Sequence, residues 1–221
     1  MSKRQMKLFG SQMEVFAHFE KMFHPEVGLN TVLLTGKSGA GKSTVVQEFL
    51  REFGVSIHGY TTVRHRSVSR QEVAFQHIYL PESATPPALT IEYPNHLPDL
   101  EYFLRRVKDS VVFDRAAFLK LADYMSPQQV FRNKTPELML WDELGGEELL
   151  IDHLFETVKY WLDLNEKPAQ IIVWKKQFRR SKLRLAHLTA EEEDILELRR
   201  QEILSHTSIH IHDLDCEEAE I

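Results

Sequence analysis

The chain has 221 residues, with 27 Lys and Arg against 33 Asp and Glu, a formal net charge of −6. This length suits one substantial core, and the net-acidic balance with mixed signs argues against a general nucleic-acid binder. No apolar run could span a bilayer, the start MSKRQMKLFGSQ lacks the apolar segment of a secretory signal, and the single Cys216 excludes an internal disulfide, so a cytoplasmic location is expected.

Ser11 and Glu14 have capping-box spacing. Met13, Phe16, Phe19 and Phe23 then mark a helical face, expected to pack against a sheet edge. Val32, Leu33 and Leu34 form a continuous apolar run, the signature of a buried parallel strand. GKSGAGKST, residues 36–44, follows, and then a helical stripe of Val45, Phe49 and Phe53 with Val46 and Leu50 beside it, stopped at Gly54. VSIHGYTTVRHR reads as a second strand. VAFQHIYL, residues 73–80, reads as a third, with Val73, Phe75 and Ile78 expected inside.

Five prolines fall within residues 81–98. That density excludes regular helix and central strand and predicts a surface loop, or a flap over a substrate. Residues 100–107 read as a short helix, residues 111–113 as a brief strand, and a helix is expected from Arg115. In ELMLWDELGG, residues 137–146, an apolar strand ends in Asp142 and Glu143. A helix with Leu150, Leu154, Val158 and Trp161 on one face comes next, then the buried strand AQIIVWKK. Thr189 and Glu192 form a second capping box, opening a helix to about His206, and SIHIHDL closes as a half-buried strand. Strands alternating with helices predict an α/β fold: a mainly parallel sheet covered by helices on both faces. The expected organisation is one domain over 1–221, with an N-terminal helical extension (1–30), a Pro-rich loop (81–98) and a basic segment (175–188).

Residues 36–43 spell G-x-x-x-x-G-K-S, a phosphate-binding loop, and its strand–loop–helix context is the required one. Gly36, Gly39 and Gly41 let the backbone turn tightly and come close to a ligand. Backbone N–H groups across Gly36, Lys37, Ser38, Gly39, Ala40, Gly41, Lys42, Ser43 and Thr44 would then cradle phosphate oxygens, at the positive end of the next helix. The Lys37 side chain is read as a spectator. Lys42 would reach the β- and γ-phosphates, and the Ser43 hydroxyl would ligate Mg²⁺. Asp142, at the carboxyl end of an apolar strand, is the expected Mg²⁺ partner of Ser43, and Glu143 would orient or deprotonate an attacking water.

Two basic clusters could meet phosphate: Arg64, Arg66 and Arg70; and Lys175, Lys176, Arg179, Arg180, Lys182 and Arg184. For any single member a solvated surface is the competing reading. His206, His210 and His212 are close in sequence, but no cysteine or carboxylate completes a tetrahedral set, so they read as a solvated strand face. Cys216 has acidic neighbours that disfavour a thiolate.

Four segments together resemble the THEP-type nucleoside-triphosphatases, a family of P-loop proteins: LLTGKSGAGKST; GYTTVR followed by VAFQHIYL; VVFDRAAF; and LWDELGGEEL. The resemblance spans roughly residues 31–176. The chain departs from the family pattern at Ala74, where glycine is usual, and at Gly146 and Glu147. The resemblance implies Mg²⁺-dependent hydrolysis of ATP or another nucleoside triphosphate with broad base tolerance, Asp142 and Glu143 as the acidic pair, and Arg64 as a site residue. GYTTVRHR also has a weaker likeness to the acceptor-binding segment of guanylate kinase, so a nucleoside or nucleotide kinase is the alternative. A slow nucleotide-dependent switch that binds a protein partner is a third. The expected partner is the nucleotide, with no membrane and no nucleic acid; a protein partner or homo-oligomer stays open.

Overall fold

The computed structural model describes residues 10–23, 30–69, 71–80, 87–107, 110–132, 134–176 and 188–215. Among the described residues nine strands form one sheet: β1 Thr31–Thr35, β2 Ile57–Ser67, β3 Val73–Leu80, β4 Thr90–Tyr93, β5 Leu104–Val107, β6 Ser110–Phe113, β7 Leu138–Leu144, β8 Ala169–Trp174 and β9 Ile209–Asp213. The order is β6-β5-β3-β2-β7-β8-β1-β9, with β4 also paired to β2. From β2 to β9 every neighbouring pair is parallel; β3, β5 and β6 add an antiparallel limb.

The period-2 alternation of the central strands assigns the two faces. On β1, Val32 and Leu34 point to one side and Leu33 to the other. Val32 and Leu34 meet helix α2 Lys42–Phe53 through Val45, Val46 and Phe49, and helix α1 Gly10–Lys21 through Phe16 and Phe19. Leu33 shares the opposite cluster with α3 Arg115–Tyr124, α5 Asp152–Asp163 and α6 Ala190–Leu204, through Leu121, Trp161 and Ile203. A one-turn helix, α4 Pro127–Val130, follows α3. Each large apolar side chain removed from water in these layers contributes about 1.5–3 kcal/mol. Two of the buried indoles donate hydrogen bonds: Trp141 to Gln170 Oε1 at 3.2 Å, and Trp161 to the Met125 carbonyl at 2.8 Å.

Several local expectations change. Helix α1 already includes Ser11, so the helix begins before the position expected to open it. The helix packs on the α2 face, where Phe16 and Phe19 meet Phe49 edge-on at 5.6 and 5.2 Å, and its His18 reaches edge strand β9. Residues 104–107 are a strand, because the free side of β3 offers a ladder that a four-residue helix could not match. In β3 the buried residues are Ala74 and Leu80; Val73, Phe75 and Ile78 are half-buried. Within the proline-rich stretch, residues 90–93 are proline-free and pair in parallel with the second half of β2; residues 81–86 lie outside the described part. The capping box at Thr189 forms as expected, with Glu192 N–H donating to Thr189 Oγ1 at 3.1 Å and Thr189 N–H to Glu192 Oε2 at 2.9 Å.

Candidate active site

The carboxyl ends of β1, β7 and β8 converge on a cavity of about 540 Å³. Its floor is the loop between β1 and α2. Gly41 sits in the left-handed region at φ 87°, a conformation costly for any residue with a Cβ, and it caps α2 with no side chain involved. Lys42, Ser43 and Thr44 therefore open the helix with N–H groups that have no intrahelical partner, and all three residues line the cavity. This is a ready anion site. Lys42 is half-buried and its ammonium folds back onto its own loop, donating to the Gly36 and Lys37 carbonyls at 2.8 Å each. Burial lowers its pKa, against the opposing pull of Glu143, Asp215, Asp142 and Asp213.

Asp142 is 2% exposed. Thr61 Oγ1 and Thr62 N–H donate to its Oδ2 at 2.7 and 2.9 Å, while Oδ1 accepts from Ser43 Oγ at 3.2 Å. Burial first, and then the charge of Glu143, push this carboxyl up to about 6; the bonds from Thr62, Thr61 and Ser43 pull it back. A buried carboxylate raised in this way favours a neighbouring cation. Ser43 Oγ and Asp142 Oδ1 form a pair of hard oxygen donors suited to Mg²⁺. The structure thus brings together the two residues read from sequence as metal partners.

Glu143 lines the same cavity. It adopts φ 67°, one of two non-glycine residues with positive φ among those described. The cause is a break in the β7–β8 register between Trp141 and Leu144, which turns the chain at Glu143. Gly145 then runs at φ 104° against the face of Trp174; a Cβ there would stand 2.8 Å from the indole. Arg200 holds this turn, donating to the Gly145 carbonyl and, at 2.9 Å, to the Lys175 carbonyl, with its guanidinium 5.0 Å from the Trp174 ring centroid. Glu148, 2% exposed, accepts from Gly146 N–H and faces Lys175 Nζ at 3.3 Å.

The side opposite the loop is formed by Thr62 and Arg64 from β2, Phe75 from β3, and Leu89 and Thr90. Arg64 is exposed and makes no ion pair among the described residues. Arg66 instead faces Glu92 at 3.6 Å, away from the cavity lining. Lys175 and Lys176 line the cavity, whereas Arg70, Arg179, Arg180, Lys182 and Arg184 lie outside the described residues.

Sequence reasoning missed the carboxylates at the end of β9, Asp213 and Asp215. Because β9 pairs with β1 in parallel, Asp213 stands beside Thr35. Asp215 Oδ2 then accepts from the Lys37 N–H at 2.7 Å and from Lys176 Nζ at 3.1 Å, and Asp213 also accepts from Lys176. The signal was present: a D-x-D pair at the carboxyl end of a strand in an α/β sheet belongs where ligands collect. Thr61 and Thr62 were also missed as holders of Asp142.

A glycine loop cradling a helix N-terminus beside β1, and a strand-end aspartate bonded to its serine, define a P-loop NTPase fold with a mixed, mostly parallel sheet. Residues 31–204 match the model of the NTPase family, and the chain belongs to that family. Nucleoside triphosphatase activity in general is what the family supports. One similar solved structure is THEP1 from the hyperthermophile Aquifex aeolicus, with 14% identity over 83% of this chain and 89% of that one, at a TM-score of 0.46. No curated protein matches the sequence. Among the described residues, no helix is long and apolar enough to cross a membrane.

Proposed function

We propose that the protein binds a nucleoside triphosphate with Mg²⁺ and hydrolyses it, releasing the γ-phosphate. The observation that carries this reading is the 3.2 Å contact between Ser43 Oγ and Asp142 Oδ1, with Glu143 next in the chain and on the same cavity. Mg²⁺ held by Ser43 and Asp142 would neutralise charge on the β- and γ-oxygens. The N–H groups opening α2 would hold the phosphates, and Lys42 would exchange two carbonyls for phosphate oxygens. Glu143 would take a proton from the water whose oxygen attacks the γ-phosphorus, as the bond to the bridging oxygen breaks and the diphosphate leaves. Arg64, which lines the cavity and makes no ion pair among the described residues, would balance charge that develops on the transferred group.

The test is phosphate release from ATP, GTP, CTP and UTP, with and without nucleoside monophosphates, in Mg²⁺ and after chelation. Hydrolysis predicts phosphate from Mg²⁺·NTP alone and none after chelation. Transfer that requires a monophosphate would replace this reading with the kinase, and tight nucleotide binding without turnover would replace it with a switch.

A further inference from the structure

Histidines far apart in sequence meet at the outer edge of the sheet. His210 and His212 share one face of β9, and α1 lays His18 across them. The ring centroids of His18 lie 5.1 Å from His210 and 4.3 Å from His212, and those of His210 and His212 are 4.7 Å apart. From each ring one nitrogen falls within 4.8 Å of the other two. His206 takes no part; it bonds Asp163 and Ser208 instead. The strand-face reading of His210 and His212 is therefore incomplete, because the third imidazole comes from a helix 192 positions upstream of His210 (210 − 18).

We propose that His18, His210 and His212 form a site for a borderline divalent transition metal of the zinc class, distinct from the Mg²⁺ position of the phosphate loop. Three observations carry it. The donors are all imidazoles, which suit Zn²⁺, Ni²⁺ or Cu²⁺ and not Mg²⁺. His18 Nδ1 lies 3.0 Å from the Glu14 carbonyl. That bond fixes the tautomer and turns the other ring nitrogen outward, the outer-shell arrangement typical of metal-binding histidines. His212 Nε2 is buried without a hydrogen-bond partner among the described residues, a cost that a metal bond would remove. Tetrahedral zinc holds its nitrogens about 3.3 Å apart, so the rings need close by only about 1.5 Å. His210 is exposed, so the fourth position is open to water.

The site would tie α1 to β9, the strand whose end carries Asp213 and Asp215 to the phosphate loop. The test uses the full chain, stripped by chelator and dialysed into excess Mg²⁺ so that oxygen sites are occupied. Zn²⁺ is titrated calorimetrically, and Co²⁺ serves as the visible-absorption probe. Expected are one equivalent of Zn²⁺ bound, ligand-field bands of a low-coordinate nitrogen site with Co²⁺, and a rise in Tm with Zn²⁺. His210→Gln, on an exposed position, should fold normally and lose all three signals, as should His18→Gln. No Zn²⁺ binding above the Mg²⁺ background, or binding unchanged in His210→Gln, would overturn the proposal. Because each signal is read without nucleotide, the result does not depend on what the phosphate loop does.

Discussion

Glu143 combines backbone strain with a chemical assignment, so its substitutions separate stability from catalysis. A non-glycine residue held in the left-handed region costs about 1–2 kcal/mol, and Glu143 is held there by the β7 register break. Glycine at 143 would recover that cost but surrender about 0.5–1 kcal/mol through its freer unfolded chain. Glu143→Gly should therefore stabilise the protein by roughly 0.5–1 kcal/mol, or about 1–4 °C in Tm for a chain of this size. Glu143→Gln keeps the side-chain volume and the strain, so its stability should match wild type. Both variants should lose hydrolysis by at least about 10²-fold, the scale of a lost general base and about 2.7 kcal/mol of barrier. Denaturant unfolding and single-turnover phosphate release, measured on the same preparations with nucleotide affinity as the control, give the two axes. A kcat for Glu143→Gln within a few-fold of wild type would refute the base assignment. A Glu143→Gly protein less stable than wild type would refute the strain argument.

Two further outcomes follow from packing. His77 stacks on Phe103 at 4.0 Å and meets Tyr60 and Phe118 edge-on; burial, aided by Lys175, pushes it down to about 3. Its folded pKa lies below the unfolded value near 6.5, so the unfolded chain takes up the proton first, and the stability contribution is full above pH ~6.5 and lost on the way down to ~3. His77→Phe should remove up to about 2 kcal/mol of the acid sensitivity between pH 8 and pH 5, read as the difference between wild-type and variant unfolding curves. At Gly59, a Cβ would stand 2.2 Å from the Leu140 carbonyl oxygen of the adjacent strand. Backbone cannot yield there cheaply, so Gly59→Ala should destabilise by more than about 3 kcal/mol in urea unfolding; a cost below 1 kcal/mol would contradict the strand contact.

What was legible in the sequence was local. The loop at residues 36–44 declares itself by glycine spacing, and Asp142 by the apolar run of Leu138 to Trp141 that precedes it. Each needs only its own strand and turn. Asp215 was legible only as one member of a strand-end D-x-D pair; its contact with Lys37 was not, because that contact spans 178 positions and exists only if β9 pairs with β1. The same holds for His18 over β9. The strand at residues 104–107 was misread because a short segment with two arginines carries no decisive period; the open side of β3 settled its conformation.

The charges around the cavity explain why a net-acidic protein can take a polyanion. Lys176 is held by Asp213 and Asp215, Lys175 by Glu148, and Lys42 by two carbonyls. On the proposed reading, nucleotide binding exchanges partners, and only the difference between old and new contacts appears as affinity. Lys42 gives up neutral carbonyls and so gains most from phosphate. Lys175 and Lys176 already face carboxylates and gain less. Arg64 gives up no ion pair among the described residues, so its whole electrostatic gain is available to the transferred group. On the proposed reading, discrimination between ground and transition state would rest on Lys42 and Arg64, while Lys175 and Lys176, just after β8, and their carboxylates would chiefly hold the cavity in shape.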